Sequence, residues 1–357
     1  MPLSPSLATS TSPRLGRALD RIGPDVYQTN AFRVLQLSVA ADRATVRRRV
    51  NQVRQALAVG LVPPPGPLRV LRHDEPEDEV LQTAAERTQH PEECLIDTVF
   101  WFWPPASSLD AGWQALLAGD LAGAEDEWSG QEQEGSVVAR HNLAVLSHER
   151  ALRDELAGKG SDAADPVRLE GWRQIWAWWD ALLCSDETLG WLERRAEALG
   201  CPSPQATAST LIDTLPDRLL RIHVQLAMQA LRAGSYEDVR RHVDLMNPDI
   251  IRQPEDRIRS VRDGLAEPLR RQVTQLVDRA TNEAYDRPAQ ADQSARTLVR
   301  DGEPLLQALK ALLEYPQWQG VSDLFAQGLY KCAQRHYASG ESSDPSTALS
   351  IMRRAQT

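Results

Sequence analysis

Asp42-Arg43-Ala44-Thr45-Val46-Arg47-Arg48-Arg49-Val50-Asn51-Gln52-Val53-Arg54-Gln55-Ala56-Leu57 is the stretch on which the fold assignment turns. Val46, Val50, Val53 and Leu57 recur at intervals of four, three and four, which places them in one stripe of an α-helix. Asp42 is a good N-cap, because its carboxylate can accept the unpaired amide hydrogens of the first turn. Arg43, Arg47 and Arg54 form a separate basic stripe on the same helix. The same period dominates the rest of the chain, and no set of alternating strands competes with it. The reading is all-α.

Upstream, residues 25–35 form a short helix in this reading. Downstream, Pro63-Pro64-Pro65-Gly66-Pro67 makes a stiff extended loop. Glu75, Glu77, Asp78 and Glu79 then open a helix over residues 77–88, where acidic groups complement the helix dipole. Pro91 starts another helical stretch that ends in Phe100-Trp101-Phe102-Trp103. Residues 23–105 thus pair a basic helix with an acidic one and close them with an aromatic plug. We expect these rings to pack where this head meets the rest of the chain.

Residues 106–160 read differently. The phrase Ala115-Leu116-Leu117-Ala118-Gly119-Asp120-Leu121 ends one helix at a glycine and starts the next, and a third helix covers residues 137–156. The Ala-Leu-x-Ala-Gly frame returns at Ala230-Leu231-Arg232-Ala233-Gly234-Ser235-Tyr236. Two copies fall short of an array, but they imply helical hairpins with glycine turns, stacked in a tetratricopeptide-like manner. Residues 165–357 form a helical body, with Trp172, Trp176 and Trp179 sharing a core face and a last helix pair from residue 318 to 354. Breaks are expected at residues 158–166, at Asn247-Pro248 and at residues 340–345. Residues 1–22 read as a disordered lead-in, since the start is rich in Ser, Thr and Pro and lacks an apolar signal core.

The 357 residues carry a net charge of -10, which argues against a general nucleic-acid surface. The excess of acid makes residues 31–60 conspicuous, with six arginines and one aspartate. These arginines pair with the acidic helix, including Glu79 and Glu86, or are an ordinary solvated face, or form a docking face for an acidic partner. Cys94, Cys184, Cys201 and Cys332 make no CxxC pair, as befits buried free thiols in a reducing cytoplasm. No apolar run approaches the about 20 residues of a membrane span. Lysine occurs only at Lys159, Lys310 and Lys331, which points to a GC-rich, bacterial coding sequence.

Catalytic signatures are missing. The chain has no GxxxxGK[ST] loop, no GxGxxG after a strand and no GxSxG elbow. His141 and His148 lie seven apart, about 10 Å along a helix, too far to chelate one metal by themselves. His223 and His242 could meet across a hairpin. No cofactor or metal is expected, and an unrecognised helical enzyme is the least favoured reading.

Asn30-Ala31-Phe32-Arg33-Val34-Leu35-Gln36-Leu37, then Asp42, then Val46-Arg47-Arg48-Arg49 resembles the first helix, turn and basic second helix of a J domain, of the Hsp70 co-chaperone class. Residues 81–102, with Pro91 among them, look like its third helix and the segment after it. The likeness covers about a quarter of the chain. It implies a J-like head that meets an Hsp70-type ATPase through Arg43, Arg47, Arg48 and Arg54, and a tetratricopeptide-like body that holds a client or another subunit. The His-Pro-Asp that J domains carry between their second and third helices is absent. That loop holds His73-Asp74-Glu75-Pro76 instead, and His90-Pro91-Glu92 comes too late. The expectation is a non-enzymatic co-chaperone or adaptor that stimulates Hsp70 poorly. The alternative is a protein-interaction scaffold in an assembly without Hsp70.

Overall fold

A computed structural model describes residues 12–68, 78–158, 166–246 and 255–339. Among them there are fifteen α-helices and no strand, so the fold is all-α. The segment His73-Asp74-Glu75-Pro76 and most of the breaks expected near residues 160, 247 and 342 lie outside the described residues.

The described chain divides within one long helix, after Ile222, into two compact units. The first holds α1 (Pro13–Asp20), α2 (Ala31–Leu35), α3 (Arg43–Ala58), α4 (Asp78–Arg87), α5 (Pro91–Val99), α6 (Ala111–Ala118), α7 (Leu121–Gln133), α8 (Val137–Leu156), α9 (Pro166–Leu183), α10 (Asp186–Leu199) and most of α11 (Pro204–Arg232). Head, hairpin and the start of the body, expected as separate parts, share this unit. The reason is their aromatic content. Tyr27, Phe100, Trp101, Phe102, Trp103, Trp128, Trp172 and Trp179 come from all three parts and are all buried. Phe100 lies 5.9 Å from Trp179, Phe102 stacks on Trp128 at 5.7 Å, and Trp103 stacks on Trp191 at 3.7 Å. Each fully buried ring of this kind contributes roughly 1.5–3 kcal/mol, so the head is fixed to the hairpin and the tryptophan-rich helices. Trp172, Trp176 and Trp179 are core residues, as their spacing implied.

Two local expectations change. Pro13–Asp20, placed in the lead-in, is a helix. Pro13 opens it, the Ser12 hydroxyl caps it, and Leu15, Ala18 and Leu19 are buried. The short helix expected from residue 25 begins only at Ala31, because the Asn30 side chain accepts the amide hydrogens of Phe32 and Arg33 and so caps it there.

The repeated phrase makes the same turn twice. Gly119 and Asp120 donate to the carbonyls of Leu116 and Ala115, and Gly234 and Ser235 donate to those of Leu231 and Ala230. Gly119 and Gly234 sit at φ 80° and 75°, a backbone conformation that favours glycine.

The second unit contains the end of α11, α12 (Tyr236–Leu245), α13 (Glu255–Asp286), α14 (Ala291–Leu312) and α15 (Tyr315–Ala338). The last three pack on one another, and α12 packs on α14. Leu265, Leu269, Val273, Val277, Ala280 and Ala284 give α13 one buried stripe. Of the helix pair expected at the C-terminal end, α15 is described and its partner lies outside the described residues.

Candidate functional site

The site is built on α3. Asp42 Oδ1 accepts the amide hydrogen of Thr45 at 2.7 Å and starts the helix where the sequence placed it. Hydrogen bonding from the Thr45 side chain and then from its amide, with the nearby Arg48 charge in support, holds the Asp42 carboxyl below its usual range. Val46, Val50, Val53 and Ala56 are buried, while Leu57 is only half-buried, so the stripe ends one residue earlier than expected.

Arg49 was not singled out by its sequence, yet it is the buried arginine of the helix. Its Nε donates to the Leu35 carbonyl at 2.8 Å and its Nη1 to the Pro64 carbonyl at 2.5 Å, which ties α2 and the proline loop to α3. Its position was a signal: three residues after Val46 and four before Val53, it falls inside the apolar stripe.

Arg43, Arg47 and Arg54 are exposed, and all three line one cleft of about 690 Å³. Val46, Val50, Pro91, Cys94 and Leu199 give it apolar walls, and Asn51, Thr88 and Gln89 add polar ones. Burial pushes the Cys94 thiol up to about 12, so it stays protonated and acts as part of the apolar floor. Cys201 and Cys332 are buried as expected, whereas Cys184 is exposed. Arg48 is exposed too, but it does not line the cleft.

Arg43 donates to the Leu199 carbonyl at the C-terminus of α10. A cation suits that negative end of the helix dipole. Gly200 comes next at φ 78°, and a Cβ there would collide with the Arg43 guanidinium. Arg195 reaches the Ala41 carbonyl at 3.5 Å from the same side. Arg47 and Arg54 have no hydrogen-bond or ion-pair partner among the described residues, and neither Glu79 nor Glu86 pairs with them. Among the described residues, pairing across the α3–α4 hairpin therefore does not account for Arg47 and Arg54.

His90-Pro91-Glu92 serves a local purpose. Pro91 is the first residue of α5, His90 Nδ1 lies 2.7 Å from Arg14 Nη1, and Glu92 accepts a hydrogen bond from Ser12 at 3.1 Å.

His141, His148, His223 and His242 are core residues. His141 Nε2 lies 2.8 Å from the Val99 carbonyl, and its ring stacks on Trp103 at 3.8 Å. Burial pushes His141 down to about 3. His148 Nδ1 lies 3.0 Å from the Tyr27 hydroxyl. His223 and His242 do meet, with Nδ1 atoms 3.5 Å apart. Among the described residues no three His, Cys, Asp or Glu side chains gather as a metal site would need. No described helix is long and apolar enough to cross a membrane.

No family model, curated protein or solved structure matches the chain.

What the cleft offers chemically is cationic arms above an apolar floor. That combination suits an occupant bearing both carboxylates and aliphatic groups.

Proposed function

We propose that this chain is a non-enzymatic adaptor that holds a protein partner in the α3 cleft. The observation that carries this reading is the pair Arg47 and Arg54. Both are exposed on the wall of a cleft with an apolar floor, and neither has a partner among the described residues. In a chain of net charge -10, such a local basic surface steers an acidic partner toward one place.

The J-like residues make an Hsp70-type ATPase the first partner to test. Without His-Pro-Asp ahead of α4, its ATP turnover should change little on binding. The second reading, a scaffold in an assembly without Hsp70, draws support from Arg43. Its bond to the Leu199 carbonyl makes α10 a wall of the cleft, so the basic face of α3 is not open along its length.

The test is a photo-crosslinking amino acid at Gln89, a polar residue of the cleft wall, in the full chain inside cells. A protein adduct that disappears in the Arg47→Glu/Arg54→Glu double variant is the expected result. Absence of any protein adduct, or adducts indifferent to the charge reversal, would reject the adaptor reading.

A further inference from the structure

We infer that the occupant of the cleft is an acidic, aliphatic helical segment of the partner protein, with carboxylates about two turns apart and leucine-like side chains between them. This inference rests on the adaptor reading and adds the chemistry of what is bound. Arg47 and Arg54 are seven residues apart, about 10 Å along the axis of α3. Val50 lies between them on the cleft wall, and Val46 lies beside Arg47. A partner helix repeats with the same rise, so carboxylates seven apart meet both guanidinium groups while the side chains between them reach Val46 and Val50. Guanidinium groups favour carboxylates because the paired donors match the two oxygens.

Other anions fit less well. The floor of Val46, Val50, Pro91, Cys94 and Leu199 gives a free phosphate nothing to bind and gives an aliphatic side chain a place to leave water. Nucleic acid would bring a long polyanion against a chain of net charge -10. A short acidic segment places its charge only where the arginines are.

The experiment uses the full chain and a fluorescent synthetic helical peptide of about two heptads, built from Glu, Leu and Ala with glutamates seven apart. Anisotropy should show saturable binding that weakens as salt rises. Arg47→Glu should weaken it about tenfold or more, a loss of about 1.4 kcal/mol. Arg48→Glu makes the same charge change one residue away and outside the cleft, and should weaken it less than about twofold. Replacing the leucines of the peptide by serine should also weaken binding about tenfold, with no change to the protein. The inference is overturned if the serine peptide or inorganic polyphosphate binds as well as the leucine peptide, or if Arg47→Glu and Arg48→Glu act alike. It is also overturned, with the adaptor reading intact, if the proteins captured at Gln89 cross-link through segments without this acidic and aliphatic pattern.

Discussion

The ring of His141 lies on the indole of Trp103 with centroids 3.8 Å apart and planes 15° from parallel. Trp103 also stacks on Trp191, at 3.7 Å. An imidazole in this position is neutral, and burial holds it at about 3. In the unfolded chain it titrates near the ordinary value of about 6.5. Its stabilising contribution is therefore complete above about pH 6.5 and is lost as the pH falls toward 3. Asp97, pushed up to about 7 by burial, has the opposite slope above its ordinary carboxylate range. The contribution of His141 is thus read as the difference between the native chain and His141→Asn. That difference should shrink by about 1.4 kcal/mol per pH unit between pH 6 and pH 4 in denaturant titrations. A pH-independent difference would mean that His141 is charged in the fold.

Asn30 is completely buried and uses both ends of its amide. Its oxygen caps α2, and its nitrogen donates to the carbonyls of Asp97 at 2.8 Å and Phe100 at 3.2 Å. Asn30→Ala should cost about 3 kcal/mol, combining a lost cap with two carbonyls left without a donor. Asn30→Asp should cost more, since a carboxylate would face those same carbonyls. A loss under about 1 kcal/mol in urea unfolding would contradict this account.

Gly112 has no room for a side chain, because a Cβ would lie 2.5 Å from the indole of Trp128. Trp128 is held in turn by its stack on Phe102. Gly112→Ala should destabilise by about 1–3 kcal/mol and perturb tryptophan fluorescence. Gly130→Ala, whose Cβ meets nothing within 4 Å, is the matched control and should be neutral or slightly stabilising.

Arg43 and Arg54 line the same cleft but differ in their bonds. Arg43→Ala loses the contact with the Leu199 carbonyl and should cost about 1 kcal/mol, whereas Arg54→Ala should stay within about 0.5 kcal/mol. Thermal melts of the two variants check the order.

Ala106, Ser107, Ser108 and Leu109 are exposed, so a protease should nick the chain there. The fragments should remain together on size exclusion, because Phe100–Trp103 pack against Trp128, His141, Trp179 and Trp191 across the cut. Release of a folded head would contradict the shared aromatic core.

Much was legible before any coordinates. Period and capping are local properties, so Asp42 located the start of α3, the 137–156 helix has the ends its sequence implied, and the Ala-Leu-x-Ala-Gly phrase announced its glycine turns. The basic stripe of Arg43, Arg47 and Arg54 was visible for the same reason, since residues at such spacings share a helix face. The sequence by itself therefore determined the all-α class, the ends of several helices and the arginines of the cleft. Tertiary structure alone decided the rest. It joined head, hairpin and tryptophan segment into one unit, because which aromatic ring meets which depends on contacts far apart in the chain. It buried Arg49 among valines, since the carbonyls of Leu35 and Pro64 were there to receive it. It brought Leu199, distant in sequence, to the side of Arg43 and so turned a charged helix face into a cleft, while Arg48, identical in chemistry, was left outside it.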